Sequence, residues 1–399
     1  MVRLFCLFCA GLLVSAAAFG QSAKEQLAIA NSAKLVSKGF YDELPFQNKL
    51  GYFIIKARID TATYEYIFDT GGYNTATSRV MQNAGLPTLM EVKVGSANQL
   101  KAKIKLSKVP LLQIGKASFQ DVGVFNFDFT DAPILNCYTN AGLIGKSVIR
   151  EAVWQIDYRR SVIRVADELH RLPAVGNGQK VKVRLDKVLN PYIKLSVNGR
   201  QEEFMFDTGF DGLLVMNEKM AASFKFPKVV STAGEGTIGA IGVKQEKNHV
   251  ADVQSVTVGG QELKNQVVYY APSTKYNIVG TDLAKHFIIT MNFKEGYLIL
   301  TPYAEPEAQE PYQTFGFGVN IRQGKLYVRN LYEDLATKQA GLALNDELVA
   351  IDGQPLTGLP GCDAYWLVQN TMKKQDTILL QVKRGTEQKE FRLVKYSPF

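Results

Sequence analysis

A long internal repeat dominates this sequence, and a repeat of this length restricts the fold to two copies of one design in a single chain. The triplet Asp-Thr-Gly occurs as Asp69-Thr70-Gly71 and again as Asp207-Thr208-Gly209, 138 positions further on. Each closes an apolar, strand-like run: YEYIFDTGGYNTATS in the first copy answers QEEFMFDTGFDGLLV in the second. Each copy then carries an apolar-apolar-Gly group, Leu143-Ile144-Gly145 and Ile278-Val279-Gly280, at almost the same distance from its triplet. Beyond these glycines KSVIREAVWQIDYRRSVIRV echoes TDLAKHFIITMNFKEGYLIL, a short helix followed by two strands. An arbitrary tripeptide arises roughly once in several thousand positions and alone signals only a turn. Two in matched contexts signal a duplicated lobe.

The bulk properties leave room for more than these lobes. With 399 residues, 46% of them hydrophobic and 21% charged, the chain has the composition of a folded protein of two or three domains. Its first twenty residues, MVRLFCLFCAGLLVSAAAFG, combine an early Arg3, an apolar run from Leu4 to Val14 and a small-residue tail, the pattern of a secretory signal peptide. Export is therefore expected, to the periplasm or the extracellular space. Loss of Cys6 and Cys9 with the signal leaves Cys137 and Cys362, too few for a disulfide framework or a four-cysteine zinc site. A bridge between them is permitted outside the cytoplasm, but they fall in different expected domains, so free and bridged states both stay open. Three histidines without paired spacing give no basis for a His-based zinc site or a Ser-His mechanism, and neither metal nor cofactor is expected. The net charge of +8 is scattered, without interleaved aromatics, which argues against nucleic-acid binding. No later segment is apolar and long enough to span a membrane.

The pattern predicts a helical segment over 21–45 and a mainly β first lobe over 46–172, where FIIKARI, TYEYIF, KIKLSKV and VWQIDY cluster or alternate β-branched and aromatic residues. LHRLPAVGNGQK, with Pro173, Gly176 and Gly178, forms a joint before a second lobe over 179–304. TPYAEPEAQEP, with Pro302, Pro306 and Pro311, forms another before the C-terminal part, 313–399. There the Phe315-Gly316-Phe317-Gly318 run and LATKQAGLALNDELVAIDGQPL resemble a PDZ domain of the kind appended to bacterial proteases. That resemblance implies capture of a peptide as an added strand, its terminal carboxylate or a backbone carbonyl facing amides of Phe315 to Gly318, the alternative being a scaffold that packs on the lobes and binds nothing. Asn345 stands where those domains favour Gly, a departure expected to alter a turn but not the fold.

Two apposed carboxylates can hydrolyse a peptide without metal or covalent nucleophile. Like charges a few ångströms apart resist ionising together, so the pair holds one proton over a range of pH. The ionised member deprotonates a water while the protonated member donates to the scissile carbonyl. With these motifs the chain resembles pepsin- and retropepsin-type aspartic proteases, most closely a bacterial aspartyl protease with a C-terminal PDZ domain. The resemblance implies two homologous acid-protease β-barrel lobes in one chain and Asp69 and Asp207 as the dyad. Thr70, Gly71, Thr208 and Gly209 would support it, and the two apolar-apolar-Gly groups would pass behind the catalytic loops. Such enzymes usually carry Ser or Thr after the triplet. Gly72 and Phe210 stand here instead, which predicts higher dyad pKa values and a weakly acidic to neutral optimum. The first copy lacks the expected flap tyrosine in VKVGSANQLKAKI, while GEGTIGAIG in the second suits a flap around Gly236, Ile238 and Gly239. Peptide or protein substrates are the expected partners. A non-catalytic peptide-binding protein with the same cleft, and lobes that pair between chains, are the alternatives.

Overall fold

The structure, a computed structural model, describes residues 13–14, 20–96, 98–173, 176–305, 310–334 and 341–399. Most of the expected signal peptide, including Arg3, Cys6 and Cys9, lies outside the described residues, as do Pro306 and the 335–340 part of the PDZ-like motif.

The chain is mainly β. Helix α1 (Gly20–Ala30) opens it, followed by β1 (Tyr41–Pro45) and the paired strands β2 (Tyr52–Ile59) and β3 (Ala62–Phe68). The segment expected to be helical as far as residue 45 is thus helical only in its first third to half. A short strand, Lys34–Leu35, pairs with a sheet edge around Phe119, and β1 pairs along Val162 to Ala166. Unfilled sheet edges, a tertiary feature, outcompete the helical period there.

Next come the hairpin of β4 (Met90–Gly95) and β5 (Lys101–Ile114), then β6 (Ala117–Asn126), β7 (Gly142–Ile144), α2 (Lys146–Glu151), β8 (Val153–Asp157) and β9 (Val162–Ala166). The backbone of Leu13–Val14 adds two residues to the edge at β4. Along β2 the side chains alternate between two cores. Phe53, Ile55, Ala57 and Ile59 enter the central core, while Tyr52 and Ile54 enter a second core shared with the C-terminal domain.

The second lobe repeats the plan. Its strands include β10 (Gln179–Lys182), β11 (Pro191–Val197), β12 (Arg200–Phe206), β13 (Leu214–Asn217), the hairpin of β14 (Val229–Gly239) and β15 (Gly242–Gln245), β16 (Asn248–Val253), β17 (Gln266–Ala271), β18 (Ile278–Val279), β19 (Phe287–Asn292) and β20 (Tyr297–Pro302). In each lobe the apolar-apolar-Gly strand runs parallel to the strand that ends in the triplet, β7 on β3 and β18 on β12. Asp69 N donates to Ile144 O and Asp207 N to Val279 O, both at 2.9 Å. The lobes are joined beneath the triplets by one six-stranded sheet in the order β10-β20-β19-β8-β9-β1, with β8 and β19 pairing from Trp154–Met291 to Ile156–Ile289. A single core, from Phe53, Phe68 and Trp154 to Phe204, Leu283 and Leu300, runs through both lobes. Burying each such side chain contributes roughly 1.5–3 kcal/mol, so the lobes share most of their apolar stabilisation.

The C-terminal domain contains β21 (Phe317–Arg322), β22 (Lys325–Tyr332), β23 (Glu347–Ile351), α3 (Gly361–Lys374), β24 (Thr377–Arg384) and β25 (Glu387–Val394). Asn345 has φ of +66°, and asparagine is among the few side chains that tolerate this left-handed turn, so the departure from Gly leaves the fold intact. The domain does not hang free. Its β22 pairs antiparallel with β14 of the second lobe, and Cys362 on α3 is disulfide-bonded to Cys137 of the first. Expected domains that looked separate in sequence are held by a covalent bond because the fold brings their Cα atoms to 5.1 Å.

Candidate active site

The two triplet loops meet at the lobe interface. Thr70 N donates to Thr208 Oγ1 at 3.0 Å, and Thr208 N donates to Thr70 Oγ1 at the same distance. Each hydroxyl in turn donates to the opposite strand end, Thr70 Oγ1 to Phe206 O at 2.8 Å and Thr208 Oγ1 to Phe68 O at 2.7 Å. Four fully buried hydrogen bonds therefore clamp the loops together, and a hydroxyl, as both donor and acceptor, is the group this exchange needs.

Asp69 and Asp207 follow directly from β3 and β12, and both are completely buried. Asp69 Oδ1 accepts from Gly71 N (2.9 Å) and Gly72 N (2.7 Å), and Asp207 Oδ1 accepts from Gly209 N (2.8 Å). Each Oδ2 is buried without a hydrogen bond of ordinary geometry. The carboxyls lie within hydrogen-bonding reach of each other. A Cβ on Gly71 would overlap the Asp207 carboxyl, and one on Gly209 would press on that of Asp69, so only glycine allows this approach. Burial, then the charge of Asp207, holds Asp69 well above the ordinary carboxylate range. Burial also raises Asp207, against the lowering pull of the Gly209 amide and of Lys146. The pair titrates as a unit, with both members shifted upward.

Position 72 shows why no hydroxyl follows the first triplet, since a Cβ there would overlap Asp69 Oδ2. Phe210, at the matching place in the second copy, is buried with its amide turned to Asp207 O at 3.2 Å.

Sequence reasoning missed Lys146, which directly follows Gly145. Its amide donates to Gly72 O at 2.9 Å, and its ammonium, almost wholly buried, lies 4.0 Å from the centre of the Tyr73 ring and donates to Asn190 Oδ1 at 2.7 Å. Burial lowers its pKa to about 8, opposed by the negative charges of Asp186, Asp69 and Asp207. A lone lysine beside an apolar group has no signature, and only the crossing of β7 behind the dyad loop gives it a role. Asn74 is a second such residue, its Oδ1 accepting from Gly145 N at 2.7 Å.

Gly236, Ile238 and Gly239 lie in the β14–β15 hairpin, and all three are buried. The hairpin expected to act as a flap is closed in this structure. Asn98 Nδ2, at the tip of the β4–β5 hairpin, donates to Thr237 O (3.2 Å) and Gly242 O (2.8 Å), so the tips of the two hairpins interlock. Ile241 at the second tip packs with Tyr73, Val92 and Val94, directly above the loop that carries Asp69.

Phe315 and Gly316 lead into β21, which begins with Phe317 and Gly318. Gly316 N donates to Thr314 Oγ1 at 3.0 Å, Gly316 O accepts from Tyr332 N at 2.8 Å, and Phe315 and Phe317 are buried. They pack with Ile134 and Leu135 of the first lobe, whose 3-10 turn Pro133–Cys137 lies against β21 and α3. Apolar side chains of the first lobe thus lie along β21 and α3, an arrangement that suits a PDZ domain packed on the lobes as a scaffold.

Comparison with known proteins agrees with this architecture. A family model described as aspartyl protease matches residues 193–283, and a PDZ domain model matches residues 314–394, so the chain carries an aspartyl-protease domain followed by a PDZ domain. Among solved structures, the crystal structure of Basic 7S globulin from soybean aligns with a TM-score of 0.40 at 11% identity, over 65% of this chain and 94% of that one. No curated protein matches the chain. Among the described residues, no helix is long and apolar enough to cross a membrane.

Proposed function

We propose that this protein is an exported aspartic endopeptidase with two homologous lobes, in which Asp69 and Asp207 share one proton and activate one water between them. The observation that carries this reading is the reciprocal Thr70–Thr208 exchange. It holds two buried carboxyls face to face, each with Oδ1 tied to loop amides and Oδ2 left for chemistry. The ionised member takes a proton from water as the water attacks the peptide carbonyl, and the protonated member gives its proton to the carbonyl oxygen. Collapse of the tetrahedral species returns the first proton to the leaving amine. Because burial raises both carboxyls, the singly protonated pair persists to higher pH, which supports an optimum near weakly acidic to neutral pH.

The test is cleavage of a peptide library by the full chain, by Asp69→Asn and by Asp207→Asn, each under oxidising and reducing conditions and with a statine-type inhibitor as control. Each substitution is expected to remove activity by about a thousandfold or more, since each deletes one partner of a general acid–base pair. Independent partial losses, or a wild type that binds peptides and cleaves none under either condition, would overturn the reading.

A further inference from the structure

The PDZ domain holds the cover of the second lobe and the body of the first, and it does so through different kinds of bond. On the second lobe it extends the flap itself. β22 continues the β14 strand through the pairs Thr232–Tyr332, Ala233–Leu331 and Gly234–Asn330, and Glu333 N donates to Ser231 O at 2.8 Å. Beside this ladder Glu235, buried in the hairpin, accepts from Tyr327 Oη (2.5 Å) and Asn320 Nδ2 (2.8 Å), and Arg329 donates to Gly236 O at 2.9 Å. On the first lobe the attachment is a plug and a covalent lock. Ile134 and Leu135 fill the groove between β21 and α3, Tyr138 and Tyr365 share a hydroxyl hydrogen bond of 2.6 Å, and Cys137 is bridged to Cys362.

From this arrangement we infer that the PDZ domain is a latch on the cleft, with the Cys137–Cys362 bridge as its lock, so that reducing the bridge frees the β14–β15 hairpin and admits substrate to the dyad. The inference concerns regulation of the site proposed above and rests on that reading. Its physical basis is that the hairpin cannot lift alone. Ile238 and Ala240 belong to the same apolar core as Ile134, Leu135, Phe317 and Tyr365, so opening the tip requires the PDZ domain to move as well. The PDZ domain in turn cannot leave the first lobe while a covalent bond holds α3 to the plug. With the bridge intact, the interlock of Asn98 with Thr237 and Gly242 stays closed and both carboxyls stay fully buried.

A dithiol opens the lock in a balanced step. One of its thiolates attacks a bridge sulfur, its second thiol resolves the mixed disulfide, and Cys137 and Cys362 are left as thiols. The two electrons and two protons they gain come from the dithiol, which becomes a disulfide. Unplugging also vacates the groove along β21, so the PDZ surface and the dyad become accessible together.

Hydrogen exchange of the full chain with and without dithiothreitol tests this, alongside a Cys137→Ser/Cys362→Ser variant and the association rate of a statine-type peptide inhibitor. On reduction, amides in 98–100 and 233–242 are expected to exchange about tenfold faster or more, with β8 and β19 unchanged, since local opening leaves the global core protected. Inhibitor association should rise by a similar factor of about ten, as it does when lid opening limits entry. Removing the dithiol and reoxidising the wild type should restore protection, which separates unlocking from misfolding of the serine variant. Unchanged hairpin exchange, or equal acceleration across the whole molecule, would overturn the latch. The two readings fail differently. Equal cleavage by oxidised and reduced protein removes the latch and keeps the peptidase, whereas hairpins that open without any cleavage remove the peptidase and keep the latch.

Discussion

The two lobes are built alike around their aspartates and differently just beyond them. Beyond its triplet Asp69 has Gly72 and Tyr73, and the crossing strand behind it leads through Gly145 to Lys146. At the matching places Asp207 has Phe210 and Asp211, and its crossing strand leads through Gly280 to Thr281. The backbone bonds are the same, Lys146 N to Gly72 O and Thr281 N to Phe210 O, both at 2.9 Å. The charges are not. The first lobe brings a buried cation to the dyad, while the second brings a half-buried carboxyl, Asp211, whose charge acts on Tyr365 of the PDZ domain. The covers differ too, since the β14–β15 hairpin is stitched into the PDZ sheet while the β4–β5 hairpin reaches it only through the opposing tip. The triplet loops and the strands behind them thus match between the lobes, while the residues just beyond them differ in charge and in contacts.

The comparison can be broken most directly at the triplets. Apart from the loss of cleavage expected for either aspartate, Thr70→Val and Thr208→Val should each destabilise the fold by about 1–3 kcal/mol, the cost of leaving a buried amide and carbonyl unpaired. Because both hydroxyls belong to one network, the double variant should cost less than the sum. Denaturant titration of the three variants measures this, and strict additivity would show that the lobes are clamped elsewhere.

The asymmetry at the crossing strands gives a kinetic test. Removing the cation in Lys146→Met should move the acid limb of the pH–rate profile upward by about one unit, because a nearby positive charge favours the ionised carboxylate. Lys146→Arg should restore part of the shift, and Thr281→Val should leave the profile in place. A profile that does not move in Lys146→Met would assign the lysine to lobe packing alone.

The smallest effect concerns Asp211. Its Oδ1 is buried without a partner, and burial, reinforced by Asp282 and opposed by Lys285 and Arg329, pushes its pKa up to about 8. A raised carboxyl pKa means that the native state binds the proton more tightly than the unfolded chain. Its stabilising contribution is complete below the unfolded value of about 4 and is lost as pH climbs through 8. Asp211→Asn should therefore melt roughly 2–4 °C above wild type at pH 8, with the gap closing by pH 4. A gap independent of pH would mean that the substitution acts through packing.

How much of this was legible depends on the range of the cause. The strand that ends in each triplet, the parallel strand behind it and the glycine that lets it pass are local features, and they repeat, so the sequence exposes them twice. Expectation failed where two remote segments compete for one surface. Lys34–Leu35 and Tyr41–Pro45 leave the helical pattern to complete sheet edges. The Gly-rich hairpin gave no sign of the PDZ strand that pairs with it. The contact of Pro133–Cys137 with the PDZ domain had no signal, because nothing in that segment marks it as a partner for β21 and α3.

The sequence by itself determined a mainly β chain of two matched lobes followed by a PDZ domain, and the carboxylate chemistry such lobes permit. Periodicity, turn residues and a repeated spacing are written along the backbone, and they need no distant partner to be read. Only the tertiary structure decided that the cleft is closed, that Lys146 lies beside the dyad, and that Cys137 and Cys362 are joined across 225 positions. Those depend on which surfaces meet, and a contact between residues so far apart leaves no pattern in either segment alone.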